Sequence, residues 1–311
     1  MLKNFLQKYH ISEEDILIIA CSWGPDSIYL LSECMKIHPK NWLIVAHFNH
    51  SLRGYESDGD EEFIRGFCEK HNLVFTSIKK DIADIASEMK KGIEETARIE
   101  RYAFLESVRE LYSAKSIFVA HHLDDSIETL MFNLIRGTKI PGLMGIGEQN
   151  GHILRPLLSV AKKDILSQLH KENILYRIDS TNGDAVYLRN HLRLNIISEF
   201  ERINPEYRKN LSALMQYMSE LHYFIDSQVF VFLEWKLSFG TENFQVLSPF
   251  LQREVIRYLY QQANSGTIGL SEWGIAEIIR FIWDKGNYTR KELGKLYLEK
   301  KNFRVYFGSS T

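Results

Sequence analysis

Short apolar runs alternate with longer amphipathic stretches through the first two thirds of the chain. The pattern predicts strands separated by helices. Residues 16–21 (Ile-Leu-Ile-Ile-Ala-Cys) are continuously apolar, as expected of a strand buried on both faces. Trp42–Ala46 repeats the signal and runs into His47-Phe48-Asn49-His50, and Leu73–Ile78 and Ser116–Ala120 read as a third and a fourth strand. Helical segments fall between them: one from Ile28, one after Ser57-Asp58-Gly59-Asp60, and one over Glu94–Leu111 with Ala97, Tyr102, Leu105 and Val108 along an apolar stripe. Another covers Ser126–Arg136. Strand–helix alternation of this kind predicts an α/β fold, a parallel sheet wrapped by helices on both faces. Ligands in such folds bind at the carboxyl ends of strands, where the strand order switches.

Beyond Arg155-Pro156 further helices are expected near residues 160–170 and 190–200, and Asn204-Pro205 marks a boundary. The expected division is a domain over 1–205 and a smaller, mainly helical domain over 206–311. Residues 288–307 alternate more like strands and carry Arg290, Lys291, Lys295, Lys300, Lys301 and Arg304.

Composition narrows the classes. With 38 Lys and Arg against 40 Asp and Glu, the chain has no global attraction to nucleic acid, so any RNA contact must come from local patches. The 3 cysteines form no CxxC pair, which gives zinc, iron–sulfur and dithiol chemistry little support. Residues 1–16 mix Lys3, Lys8, Glu13, Glu14 and Asp15 without an apolar leader core, and no run reaches the length of a membrane span. The expectation is a cytosolic enzyme.

Three polar clusters each follow directly on a strand. Ser22-Trp23-Gly24-Pro25-Asp26-Ser27 joins the first strand to a helix; backbone N–H groups at a helix N-terminus together with two serine hydroxyls make an anion site. It has neither the GxxxxGK[ST] nor the GxGxxG spacing. Asp26 either orients the loop or holds a magnesium ion, and a simple tight turn containing serines is the competing reading. The second cluster is His47–His50. The third is His121-His122-Leu123-Asp124-Asp125, with Glu128 three residues beyond Asp125 and therefore on the same helix face.

The loop resembles the SGGxDS loop of the N-type ATP pyrophosphatases, and further motifs narrow the resemblance to the tRNA(Ile)-lysidine synthetases. His47-Phe48-Asn49-His50-Ser51-Leu52-Arg53-Gly54 with Glu56-Ser57-Asp58 is similar to that family's HxNHxLRG…ESD signature. Glu94-x-x-Ala97-Arg98-x-x-Arg101-Tyr102, His121-His122-x-Asp124-Asp125-x-x-Glu128-Thr129 and Arg136-Gly137-Thr138 match its next motifs. Arg155-Pro156-Leu157-Leu158 and Asp179-x-Thr181-Asn182…Arg189-Asn190-x-x-Arg193 complete the series. The C-terminal third matches only in length and helical character, as in the family's shorter, two-domain form. One departure is Trp23, where the family loop has glycine. A bulky residue there is strained if the position needs positive φ, and its indole could cover the phosphate seat.

The resemblance implies a PP-loop (adenine nucleotide alpha hydrolase-like) sheet and a ligase that joins free L-lysine to C2 of the wobble cytidine of a CAU-anticodon isoleucine tRNA. ATP would first adenylate the cytidine, with Mg2+ as cofactor. Residues 22–27 and His47 would hold ATP, with Asp26 the candidate for magnesium. Asp125, Glu128 and Arg101 would hold lysine, and His121, Asp125, Arg101 and Arg193 would act in catalysis. Arg53, Arg136 and Lys139 would meet tRNA phosphates, the C-terminal domain would bind tRNA, and the family's habit allows a homodimer. Plainer readings stand beside these: helix-start carboxylates for Asp125 and Glu128, packing for His47 and His50, a surface ion pair for Arg98, a solvated face for the basic C-terminal run. Two other classes also stay open. One is a tRNA thiolase or amidotransferase-type synthetase of the same group, although the expected cysteine motifs are lacking. The other is an inactive nucleotide- or RNA-binding relative, suggested by Trp23.

Overall fold

The structure, a computed structural model, describes residues 1–51, 55–177, 191–234, 236, 238–264, 269–284, 286 and 289–309; for residues 55–57, 193 and 194 it describes the backbone only. It divides into two compact units, Met1–Gln216 and Tyr217–Thr311.

The first unit is built on β1 (Leu17–Ala20), β2 (Leu43–Asn49), β3 (Val74–Lys79), β4 (Ser116–Phe118), β5 (Gln149–Asn150) and β6 (Ile153–Leu154), in the spatial order β3-β2-β1-β4-β6-β5. All neighbours run parallel except the β5–β6 hairpin. The register is Leu17 to Leu43 on one side of β1 and Leu17 to Ser116 on the other. The chain winds outward from β1 through β2 to β3 and then returns to the opposite side of β1 as β4. The strand order therefore switches between β1 and β4.

Helices α1 (Leu2–Lys8), α2 (Pro25–Ile37), α3 (Tyr55–His71), α4 (Ile82–Met89), α5 (Ile93–Leu111), α6 (Leu123–Arg136), α7 (Ile140–Leu143), α8 (Lys162–Lys171) and α9 (Ile197–Ile203) complete the unit with the start of α10 (Tyr207–Leu233). Successive strand residues face opposite ways, and each face has its own core. Leu17, Ile19, Leu43 and Val45 pack with Leu31, Ile64 and Ile165 of α2, α3 and α8. Ile18, Ile44, Ala46 and Ile117 pack with Ile82 of α4 and Phe104, Leu105 and Val108 of α5. Helix α6 lays Leu123, Ile127 and Leu130 against Ile197, Tyr207 and Met215.

The expected strands and helices are present, with shifts that have physical causes. Helix α6 starts at Leu123 rather than Ser126, because the His122 and Asp125 side chains and main-chain N–H groups cap each other reciprocally and draw both acidic residues into the first turn. A short π-helical turn, Leu192–Ile196, precedes α9 in the segment expected as one helix. Asn204-Pro205 interrupts the chain before α10, and the division between the compact units falls further on, inside that helix.

The second unit contains the rest of α10, β7 (Ser238–Gly240), α11 (Thr241–Gln245), α12 (Pro249–Asn264), α13 (Glu272–Trp283), β8 (Thr289–Leu293), β9 (Leu296–Lys301) and β10 (Arg304–Ser309). Beside its helices it carries an antiparallel sheet in the order β7-β10-β9-β8, so most of the basic, alternating C-terminal stretch is sheet. Lys300 is 2% exposed; its ammonium donates to the carbonyls of Phe281 and Asp284 at the end of α13, where the helix dipole favours a cation. Among the described residues no helix is long and apolar enough to cross a membrane.

Candidate active site at the switch between β1 and β4

The loop after β1 is closed on itself by Ser27. Its Oγ accepts from the Ser22 N–H at 3.1 Å and donates to the Gly24 carbonyl at 3.0 Å, while Pro25 occupies the first helical turn, where no N–H is needed. The N-terminal amides of α2 are left for an anion, and the exposed Ser22 hydroxyl, 3.4 Å from Ser27 Oγ, stands beside them. A Cβ at Gly24 would meet nothing nearer than Ser22 Oγ at 3.5 Å, so the space above the loop is open.

Trp23 has a positive φ, 63°, the case in which a bulky residue is strained. The left-handed conformation costs a residue of this kind roughly 1–2 kcal/mol. The indole does not stand over the loop. It is 1% exposed, packed 4.4 Å from the Phe63 ring and 5.6 Å from the Phe67 ring of α3. Burying a side chain of this size contributes roughly 3 kcal/mol, set against that strain and against the cost of the indole Nε1, which is buried without a hydrogen-bond partner.

The cluster after β4 comes to the same place because β4 is the neighbour of β1. Asp125 Oδ2 accepts from the His122 N–H at 2.9 Å, and the Asp125 N–H is directed at His122 Nδ1 at 3.4 Å. With Nδ1 accepting, the His122 Nε2 carries a ring proton and lies 3.5 Å from Asp125 Oδ2 and 3.7 Å from Asp26 Oδ1. Burial pushes the Asp125 carboxyl above its ordinary value; His122 and its N–H oppose the rise, and the charge of Asp26 adds to it.

Lys162 completes this group from the first turn of α8. Its Nζ is 2.5 Å from Asp26 Oδ1, and its main-chain N–H donates to Asp124 Oδ2 at 2.7 Å. Arg208 reaches the other Asp124 oxygen at 2.8 Å. Burial opposes it, but the Lys162 N–H and the Arg208 guanidinium hold the Asp124 carboxyl below the usual carboxylate range. Asp124 is therefore committed to joining α6, α8 and α10, whereas Asp125 faces the site.

His121 and the arginines form a different environment. Burial first, then the charges of Arg155, Arg101 and Arg98, pull the His121 imidazole down to about 3. His121 is thus neutral at physiological pH, suited to hydrogen bonding rather than to storing a proton. Its Nδ1, with Nε of Arg101, Nε of Arg155 and the Tyr102 hydroxyl, is buried without a hydrogen-bond partner. Arg155 itself is anchored through Nη1 to the Gly147 carbonyl at 2.7 Å. Buried donors on guanidinium groups are costly to leave unpaired, and an anionic ligand is their natural acceptor.

The depressed His121 value sets a pH dependence. The unfolded chain binds this proton near pH 6.5 and the fold only near about 3, so stability is complete above the unfolded value and is lost as pH falls through that window. Replacing His121 by Gln is expected to flatten the fall in melting temperature between neutral pH and about pH 4, as followed by circular dichroism; an unchanged slope would remove His121 as a source of the acid sensitivity.

The other candidate positions lie as follows. His47 is buried on β2; its Nδ1 donates to the Cys21 carbonyl at 2.9 Å, leaving Nε2 an acceptor without a partner. Burial lowers its pKa. Glu128 sits one turn after Asp125 on α6, partly buried. Arg136 and Lys139 are exposed at the far end of that helix, Arg136 over the Phe132 ring. Arg53, the Arg193 side chain and the motif over 179–190 lie outside the described residues. Sequence reasoning named His122, Asp124 and Arg155 only as motif letters and missed Lys162 and Arg208 altogether. The only signal for Lys162 was a basic residue opening a helix, where the dipole disfavours it.

Residues 1–200 match the PP-loop domain family. A tRNA(Ile)-lysidine synthase of Parabacteroides distasonis is 40% identical over 220 residues, 70% of this chain and 50% of that protein. One of Chlorobaculum tepidum is 36% identical over 273 residues, 82% of this chain and 81% of that protein. The chain thus spans about half the length of the first relative and most of the second. Among solved structures, the U34-tRNA thiolase NcsA of Methanococcus maripaludis superposes with a TM-score of 0.58 at 19% identity, covering 70% of this chain and 77% of that one, a likeness of fold. The chain belongs to the tRNA(Ile)-lysidine synthase family of PP-loop proteins.

Proposed function

We propose that the protein uses ATP to join L-lysine to C2 of the wobble cytidine of the CAU-anticodon isoleucine tRNA, through an adenylated cytidine, releasing pyrophosphate and then AMP. The observation that carries this reading is the meeting of Asp26 of the phosphate loop with His122 and Asp125 of the second motif, with Lys162 beside them.

Each residue then has a task set by its chemistry. The α2 amides and Ser22 take the pyrophosphate part of ATP, and Lys162 offsets the charge that builds as the α–β bond breaks. His47 Nε2, a buried acceptor, suits the exocyclic amine of adenine. The substrate amine carries a proton at neutral pH; with a pKa of ~10.4, freeing it costs about 4–5 kcal/mol. Asp125 and Glu128, one turn apart, bind the ammonium, and the raised pKa of Asp125 brings its carboxyl closer to accepting that proton. Arg101, with the unpaired Nε of Arg155 nearby, holds the lysine carboxylate or a phosphate oxygen, with Arg193 and the neutral His121 as the further catalytic partners.

Magnesium fits this donor set. Among the described residues no group of three or more His, Cys, Asp or Glu forms a cage. Magnesium takes one or two carboxylates and completes its shell with water and substrate phosphates. Asp26 would hold it, exchanging its contact with Lys162. Bound there, it would supply charge neutralisation at the phosphates.

On the RNA side, Arg53, Arg136 and Lys139 are proposed to meet tRNA phosphates, and residues 206–311 to bind tRNA. At 1.5 Å per residue, the end of α6 lies roughly 16 Å from Asp125, close enough for one bound stem to touch both. Incubation of the protein with ATP, magnesium, radiolabelled lysine and a CAU-anticodon isoleucine tRNA is expected to label the tRNA. A folded protein that binds ATP yet labels no tRNA would sink the proposal.

A further inference from the structure

The phosphate loop is backed by a helix to which it has no chain connection. The Trp23 indole lies against Phe63 and Phe67 of α3, at 4.4 and 5.6 Å between ring centroids. The Trp23 carbonyl accepts from the Arg177 N–H at 3.2 Å, and Arg177 Nη1 reaches Asp60 Oδ1 at 2.7 Å, again on α3. The loop is thus fastened to α3 by a side chain directly and by its backbone through residue 177. Ser27 fastens the other end, through Ser22 and Gly24.

An anion site made of main-chain N–H groups works only while those groups converge. A loop with adjacent glycines can leave that arrangement at little cost, since glycine populates many backbone states. Tryptophan at the left-handed position carries a backbone strain that glycine would not, and it adds a large ring that packs on Phe63 and Phe67 only when the loop is in place.

We propose that Trp23 is a positioning residue whose indole anchors the phosphate loop to α3, so that the loop amides converge before nucleotide arrives. The inference rests on residues 22–27 being the nucleotide-phosphate site. It also gives the departure from the family's glycine a purpose: the loop's order comes from packing behind it rather than from the ligand in front.

The test compares the unaltered protein with Trp23→Gly, Trp23→Phe and Phe63→Leu. Three quantities are read: the ATP dissociation constant by calorimetry, hydrogen exchange of the amides of 22–27 with and without ATP, and kcat at saturating ATP. Glycine tolerates the left-handed backbone, so Trp23→Gly removes the anchor without adding strain. Its expected result is ATP binding weaker by about tenfold, with loop exchange faster in the free protein and slowed again by ATP; for Phe63→Leu, outside the loop, kcat should stay within about twofold. Trp23→Phe should recover most of the affinity. Phe63→Leu leaves the loop sequence intact and should show the same pattern at about threefold, which carries the test if Trp23→Gly fails to fold. A variant that melts earlier but binds ATP as tightly, with unchanged loop exchange, would make Trp23 a core residue and overturn the proposal. If the unaltered protein binds no ATP, the phosphate-site reading falls and the anchor with it. If it binds ATP and the variants bind equally well, only the anchor falls.

Discussion

Replacing Asp125 by Asn is expected to abolish lysine transfer while leaving ATP binding and the fold in place. The loss should be about 10²–10⁴-fold, the range for removing a positioned proton acceptor. The fold survives because an Asn oxygen can still accept the His122 N–H that Asp125 Oδ2 accepts at 2.9 Å at the start of α6. Thermal stability should even hold or rise. Burial raises the Asp125 pKa, so the native protein binds the extra proton between the unfolded and folded values and stability falls as pH rises through that window. Above it the ionised carboxyl is a cost that the amide does not carry. Lysine transfer, ATP calorimetry and a melting curve at neutral pH together decide the matter. Full transfer by the Asn variant would remove Asp125 from the reaction.

Lys162→Met should cost about 10²–10³-fold in formation of AMP from ATP with tRNA and lysine present, comparable to deleting one group aimed at developing charge. The Lys162 ammonium is 2.5 Å from Asp26, so its loss leaves the loop carboxylate uncompensated where phosphate charge must gather. The substitution leaves the main-chain bond to Asp124 at 2.7 Å untouched, which keeps α8 in register with α6. Lys162→Arg should retain more activity than the Met variant, because it preserves the charge. Equal turnover by the Met variant and the unaltered protein would show that Lys162 only neutralises Asp26.

Much of the first unit was legible because parallel strands leave a strong mark. Every residue of β2 is buried, and its first four, Leu43–Ala46, form an uninterrupted apolar run. The short helix α1 and the β5–β6 hairpin left no such mark. Two-residue strands such as Gln149–Asn150 and Ile153–Leu154 carry no period. The site divides along the same line. The strand-end clusters were visible because a strand followed at once by polar residues is a local signal. Lys162 was not, since its meaning depends on contact with Asp26, 136 residues away. Trp23 stood between the two cases: the loop raised the question of a left-handed backbone without answering it, and the direction of the ring depends on Phe63 and Phe67, which no local rule connects to it.

The pairing of β1 with β4 has a consequence for how this protein can vary. The phosphate loop and the His121–Asp125 turn share no covalent link shorter than the whole β2–α5 excursion, and their spacing is inherited from two adjacent strands about 4.8 Å apart. Loop length does not set it; hydrogen-bond register does, Ile18 against Ile117 and Ile19 against Phe118. A slip of one residue would turn each β4 side chain to the opposite face. The interior of the sheet is thus the gauge to which the chemistry is built, and Ile117 and Phe118, though they touch no substrate, share in setting its accuracy.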